Sequence, residues 1–268
     1  MMIHAALQRC QMTDKLFPDG AALVVGGSGG VGRAVCLEFA RAGSDVAITY
    51  QKKREVAEKL AADIRSLGRK ATVHQLTISN ASRVDEVVDE AAREHDRLHT
   101  VVLGAGTLAA QVFLSQLTRE QWQTIINEDL NGCFNVMQAT LPALRQWGGG
   151  SYVHLGSAGH LRWPERDCMS VAPKAAIEAL ITGIAREEGR YGIRANTVLL
   201  GVIEAGMFLE LTRQGVFDAA WTDEVQRNLA LKRWGKPEEV GYAAVFLASS
   251  RASYVTGQRI AVAGGYGL

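Results

Sequence analysis

The sequence predicts an α/β protein with a single domain, a doubly wound parallel sheet carrying helices on both faces. Three observations predict it. Short apolar runs alternate with amphipathic helical segments from residue 21 onward. The runs are continuously apolar rather than alternating, so they read as strands buried on both faces, as in a parallel sheet between two helix layers. The first run ends in a cluster of glycines that opens a helix, the way doubly wound sheets begin.

The elements follow in order. Residues 21–25 form the first strand, and 31–42 a helix with Val35, Leu37, Phe39 and Ala40 among its apolar positions. Residues 45–50 are strand-like. Residues 54–67 place Val56, Ala57, Leu60, Ala61, Ile64 and Leu67 on one helical face. A strand over 71–76 precedes a helix that buries Val84, Val87, Val88, Ala91 and Ala92, with Asn80 as its cap. Residues 100–103 are a short apolar strand. A long helix spans 120–147 and is stopped by Gly148-Gly149-Gly150. Strands over 151–155, 194–200 and 258–262 alternate with helices over 174–191 and 238–248.

The stretch 201–231 breaks this rhythm and reads as a lid-like insertion, over about 202–231, above the carboxyl ends of the strands. The domain covers 21–268. Residues 1–20 read as an N-terminal lead-in that ends in the turn-like Phe17-Pro18-Asp19-Gly20. No internal repeat, low-complexity tract or inter-domain linker is visible.

Composition narrows the function. Hydrophobic residues make up 47% of the 268, enough for a large core, and the net charge is +1. Such a balance gives no footprint for a polyanion, so no nucleic-acid partner is expected. No apolar run approaches the ~18 residues that cross a bilayer, so no membrane partner is expected. The four cysteines, Cys10, Cys36, Cys133 and Cys168, are scattered without a CxxC pair. They read as free thiols of a reducing, cytoplasmic setting, and no metal site is expected. The first 20 residues lack the h-region of a signal peptide.

The glycine cluster is Gly26-Gly27-Ser28-Gly29-Gly30-Val31-Gly32. It lies between a strand and a helix. Without side chains such a loop lets a pyrophosphate approach backbone N–H groups, and the helix N-terminus adds partial positive charge. The pattern points to a dinucleotide.

Several landmarks share a resemblance. The glycine loop resembles the TGxxxGxG motif of short-chain dehydrogenases/reductases, with Val25 at the threonine. Leu103-Gly104-Ala105-Gly106 resembles that family's NNAG, Arg194-Ala195-Asn196 its RxN, Leu200-Gly201 its PG turn, and the close through Gly264-Gly265 its last strand and loop. The chain thus resembles the classical type, the 3-oxoacyl-acyl-carrier-protein reductases among them, from about residue 20 to the end. The resemblance implies a Rossmann fold, a nicotinamide cofactor and a homo-oligomer, dimer or tetramer. It also places Ile203, through its backbone N–H, and Gly201 near the nicotinamide.

Cofactor choice is read at the end of the second strand, where an acid would hold the ribose 2′-hydroxyl of NAD. Here Tyr50 is followed by Gln51, Lys52, Lys53 and Arg54, three cations and no carboxylate. That favours NADP(H) over NAD(H), since a 2′-phosphate attracts lysine and arginine. Thr77-Ile78 falls where the family often has Asp-Val beside the adenine.

The resemblance implies a catalytic serine at Ser157 and the lysine of YxxxK at Lys174. Four residues before Lys174, however, stands Ser170, not tyrosine; the wider enoyl-reductase spacing, seven before the lysine, gives Asp167. Asp129 stands at the family's asparagine and could pair with Lys174. Leu200, Ala205 and Ala263 depart from the family's proline, threonine and aspartate. A serine hydroxyl is a far weaker acid than a phenol and a whole ring shorter. Three readings stay open: a reductase of a hydrophobic carbonyl compound with another proton source, a cofactor-binding homologue with little activity, or a lyase or isomerase on the same scaffold. In the first, Ser170 relays through water from Lys174, or an acid comes from His160, Arg162, Glu165 or Asp167 in the loop. Met207, Phe208, Leu209, Leu211, Val216, Phe217 and Trp221 would make the lid apolar.

Overall fold

The computed structural model describes residues 15–268; Cys10 and the first 14 residues of the predicted lead-in lie outside the described residues. Seven parallel strands, β1 (Ala21–Val25), β2 (Asp45–Tyr50), β3 (Ala71–Gln75), β4 (Leu98–Leu103), β5 (Gly150–Ser157), β6 (Ile193–Leu200) and β7 (Arg259–Val262), form one sheet in the order β3-β2-β1-β4-β5-β6-β7. β1 and β4 are neighbours, yet the chain runs outward from β1 to β3 before crossing back to β4. That reversal opens a crevice between their carboxyl ends, where doubly wound sheets bind ligands. Val25 pairs with Leu103 and Ser157 with Leu200, so the loops after β1, β4, β5 and β6 share one edge.

Helices cover both faces. The first apolar layer joins α1 (Gly30–Arg41), α2 (Arg54–Ser66) and Pro237–Ala248 to one side of the sheet through Val35, Phe39, Leu60, Ile64, Val240 and Leu247. The other side carries α3 (Ala81–His95) and the helices after β4 and β5, packed through Val84, Val87, Val136, Ile177 and Ile181. Asn80 caps α3 as predicted, its side chain accepting from the Arg83 N–H at 3.1 Å.

Two helices differ from the reading of the sequence. The predicted helix over 120–147 is α4 (Arg119–Ile125), a π-helical stretch Ile126–Asn131, and α5 (Gly132–Gln146). The π-turn lies inside a continuous helical stretch of sequence and is too short for periodicity to resolve. The helix predicted from 174 begins a turn and a half earlier, as α6 (Cys168–Glu187). Pro173 interrupts the sequence signal, but the Asp167 carbonyl already accepts the Ser170 and Val171 N–H groups and starts the helix before it. By length and composition alone α6 is also apolar enough to cross a membrane, with mean hydropathy 1.3, which corrects the expectation that no segment is. Its residues Ile177, Ile181 and Ile184 are buried in the core against the sheet.

Residue Phe17 of the lead-in is buried and stacks on His99, ring centroids 5.2 Å apart, so Phe17 belongs to the core rather than to a free turn. The insertion forms α7 (Gly206–Arg213) and α8 (Ala219–Arg227); α9 (Pro237–Ala248) follows it. Cys36, Cys133 and Cys168 are free and buried.

Burial pushes the imidazoles of His99 and His154 down to about 3 and that of His95 to about 4. In the unfolded chain each titrates near ~6.5. Below that value the unfolded state binds protons that the folded state refuses, so stability is full above it and falls as pH drops toward the folded values. Urea unfolding is expected to show a loss of about 2 kcal/mol per fully buried histidine on going from neutrality to about pH 5. His154→Gln would remove part of that slope; an unchanged slope would exclude His154 as its source.

Candidate active site

A cavity of about 830 Å³ opens at the carboxyl edge of the sheet. It is lined by Gly29 to Gly32 from the first loop, Gly104 to Leu108 after β4, Ser157 to Gly159 after β5, Ser170 and Lys174 on α6, and the lid. A hollow of about 960 Å³ lies at the opposite, amino-terminal edge, beside Lys15, Arg69 and Arg97. It is larger, but of the residues at the glycine loop, Ser157, Ser170 and Lys174 it holds none, and the crevice of the switch point lies at the other end.

The glycine loop is held tightly. Gly26 adopts φ +81°, and a side chain there would strike the Ala105 backbone at 2.8 Å. A β-carbon on Gly32 would land on the Gly26 carbonyl oxygen, and one on Gly30 would meet the Gly206 backbone. The loop is therefore closed on itself and against the start of α7, leaving the first-turn N–H groups of α1 toward the cavity. No acidic residue stands in that turn, so an anion meets only the helix's partial positive charge there.

Lys174 Nζ donates to Ser170 Oγ at 3.0 Å and to the Ser170 carbonyl at 3.3 Å. It is half-buried, and among the described residues no carboxylate is paired with it. Asp129 does not pair with Lys174 as expected. The π-turn aims its buried carboxylate at Thr107, which donates from N at 3.0 Å and from Oγ1 at 2.8 Å. Burial raises the Asp129 carboxyl above its ordinary range, opposed by the Thr107 bonds and the Lys174 charge. Ser157 Oγ accepts the Gly159 N–H at 3.0 Å, which leaves the serine's own proton for a group in the cavity.

His160 leaves the site. Its Nδ1 lies 2.5 Å from Glu178 and its Nε2 3.2 Å from the Val171 carbonyl, and Glu178 also holds Arg259. The ring thus ties the loop to α6 and β7 and does not line the cavity. Arg162 is spent on the lid, donating to Asn228 at 2.7 Å. Asp167 and Glu165 remain as lining acids, joined by Gln111 and Tyr266, neither of which the sequence singled out. The lid supplies an aromatic cluster: Phe217 stacks on Trp221 with centroids 3.8 Å apart, Phe208 packs beside both, and Trp234 closes the group.

Residues 25–267 match the family model described as enoyl-(acyl carrier protein) reductase. The chain is 35% identical over 248 residues to the uncharacterized oxidoreductase YgfF of Escherichia coli, covering 91% of this chain and 98% of that one. The chain belongs to the short-chain dehydrogenase/reductase family. Other members include the 3-oxoacyl-[acyl-carrier-protein] reductase FabG of Thermotoga maritima, 30% identical, covering 91% of this chain and 96% of that one. A short chain dehydrogenase from Burkholderia cenocepacia, solved in complex with NADP, superposes with TM-score 0.85 at 30% identity, covering 95% and all of the respective chains. The fold is also that of a 7 alpha-hydroxysteroid dehydrogenase complexed with NADH, TM-score 0.85 at 24% identity, covering 94% and 96%.

Within this short-chain dehydrogenase/reductase, most of the expected residues converge. Gly29, Gly30, Val31, Gly32, Gly104, Ala105, Gly106, Ser157, Ser170, Lys174, Gly201 and Ile203 line the one cavity, and Lys53 reaches its rim. Gly26 and Ser28 act behind it: Gly26 N bonds Thr49 Oγ1 at 3.0 Å and Ser28 N the Thr49 carbonyl. Four expected contacts fall outside. Tyr50 is buried in the core beneath β2, because the end of that strand still alternates into the helix layer. Lys52 and Thr77 are exposed away from the cavity, and Ile78 packs against Gly132 with its carbonyl held by Asn135. The residues present fit a dinucleotide: a glycine cradle that any β-carbon would fill, free helix-start amides, and a cation at the far rim.

Proposed function

We propose that this protein is an NADP(H)-dependent oxidoreductase that reduces a carbonyl of a hydrophobic small molecule. The observation that carries the reading is the single cavity shared by the glycine cradle, Ser157, Lys174 and the aromatic lid. When bound, a reduced nicotinamide supplies the hydride. The amides of Gly30 to Gly32 hold the pyrophosphate, and Lys174 holds the ribose hydroxyls. Ser157, its lone pair taken by Gly159, donates to the substrate carbonyl and orients it. Phe208, Phe217 and Trp221 exclude water and contact the apolar part of the substrate, which strengthens every charge interaction inside. The matched family description and the FabG relatives support an acyl-type carbonyl, and the NADP complex among the structural neighbours supports the cofactor.

The test is a titration with NADPH and with NADH, followed by nicotinamide fluorescence, and then cofactor oxidation against a panel of apolar ketones and 3-oxoacyl thioesters. Binding with turnover supports the reading; binding without turnover makes the chain a cofactor-binding homologue. Lys53→Glu tests the cofactor preference. It replaces attraction to a 2′-phosphate by repulsion, and NADPH affinity is expected to fall by roughly ten- to hundredfold, as loss of a charged hydrogen bond implies, with NADH affinity little changed. Equal losses for both cofactors would place Lys53 elsewhere than at the phosphate.

A homo-oligomer and a cytoplasmic location belong to the same proposal. Among the described residues β7 pairs only with β6 and stands at the edge of the sheet, and Trp122, Phe134, Tyr242 and Phe246 are exposed on the outer helices. Sedimentation at equilibrium decides between monomer, dimer and tetramer.

A further inference from the structure

The site has a cation, a carbonyl-orienting hydroxyl and a lid, but Ser170 is a poor proton donor: an alcohol is a far weaker acid than a phenol, and its side chain is a whole ring shorter. Of the other acids that line the cavity, Glu165 is exposed and Glu210 is held by Arg213 and Gln214, which leaves Asp167 and Tyr266. We infer that Asp167 is the proton donor of this site, an inference that rests on the reductase reading above.

The placement carries it. Asp167, Ser170 and Lys174 stand at i, i+3 and i+7, one face of a helix over two turns. Asp167 is the N-cap residue of α6 and Lys174 lies inside it. The three therefore form a stripe ~10 Å long along the cavity wall. The Lys174 side chain folds back along that stripe to Ser170, which brings its charge toward the acid. Gln111 Nε2 donates to Asp167 Oδ1 at 2.9 Å. The side chain makes no capping bond to its own helix, so the second oxygen is left for the cavity. Burial raises the carboxyl above the ordinary aspartate range, and the Gln111 bond and the Lys174 charge act against it. The other groups around it are Cys168, whose thiol is raised by burial and then by the Asp167 charge, Tyr266 across the cavity, and Glu165 on the rim. Tyr266 is the weaker candidate. Burial moves its phenol further from neutrality, and its ring is packed on Ala158, Leu199 and Ala263.

The step balances. The substrate carbonyl carbon takes the hydride of NADPH and its π pair moves to oxygen. The Asp167 O–H bond breaks, its proton completes the alcohol, and NADP⁺ leaves. The carboxylate left behind is favoured by the Gln111 bond and the Lys174 charge and regains a proton from water.

The experiment uses the whole chain. Infrared difference titration of the cofactor-free protein, wild type against Asp167→Asn, reads the carboxyl directly. Its midpoint is expected clearly above the ordinary aspartate value of ~3.9; a midpoint at or below it overturns the inference. With NADPH and a carbonyl substrate, Asp167→Asn is expected to lose about 10²–10⁴-fold in kcat/KM, the usual worth of a positioned acid. NADPH affinity should hold, which shows that the loop and fold are intact, and Asp167→Glu should recover part of the rate. Full activity in Asp167→Asn, or loss of activity in Tyr266→Phe instead, assigns the proton elsewhere and overturns it. A wild-type protein that reduces no carbonyl at all is the separate failure of the reductase reading.

Discussion

Ser170→Tyr is expected to raise carbonyl reduction, by about 10²–10⁴-fold when Asp167 has already been replaced by asparagine. A phenol at this position extends from the wall that Ser170 and Lys174 share into the cavity. It removes the hydroxyl to which Lys174 Nζ now donates at 3.0 Å, so the ammonium is released to face the phenol. A neighbouring cation favours the ionised form and makes the phenol a better acid. In the otherwise unchanged protein the gain is smaller, because two donors serve one proton. The non-additivity of the two substitutions, read from NADPH oxidation rates in a double-mutant cycle, is therefore the quantity to measure. Additive effects would mean that residues 167 and 170 serve different steps.

Gly32→Ala is expected to abolish tight cofactor binding, a loss on the order of tenfold or more for each ~1.4 kcal/mol of cradle distortion. The added β-carbon meets the Gly26 carbonyl oxygen, a backbone atom that no rotamer change can move aside. Gly26 is itself pinned by Thr49 Oγ1 and faces the Ala105 backbone. The clash therefore spreads from the glycine loop to the strand beneath it and the loop after β4. Overpacking of this kind also costs about 1–3 kcal/mol of stability. Fluorescence titration with NADPH and urea unfolding separate the two effects. Wild-type affinity in Gly32→Ala would show that the loop opens on binding.

Local chemistry explains why so much of the fold could be read beforehand. The first strand is a continuous apolar run, the second is mostly apolar, and the helix after it is amphipathic, so periodicity locates Ala21–Val25, Asp45–Tyr50 and the helices beside them closely. The boundaries failed where the backbone did something periodicity does not encode. The π-turn at Ile126–Asn131 lies inside one continuous helical stretch of sequence, and α6 starts before a proline that reads as a break. The glycine loop was legible because glycine is required by contact with backbone, and contact with backbone is specific to position. Phe17 was not legible as core, since its partners Phe39 and His99 come from distant segments.

The same division runs through the site. Ser157, Ser170 and Lys174 are picked out by the resemblance to the family's motifs, and they do meet in one cavity. Which acid faces that cavity was undetermined, because His160, Arg162, Glu165 and Asp167 are all polar residues of one loop. The tertiary structure turned His160 toward Glu178 and Arg162 toward Asn228, and placed Gln111 against Asp167. It likewise sent Asp129 to Thr107 rather than to Lys174, and buried Tyr50. By itself the sequence determined the sheet, the glycine cradle and the lysine–serine pair, since these follow from periodicity, backbone sterics and fixed spacing along one helix. The partners of each buried charge were decided only by tertiary structure, because a desolvated carboxylate or imidazole takes whichever donor or acceptor the packing brings within hydrogen-bonding distance.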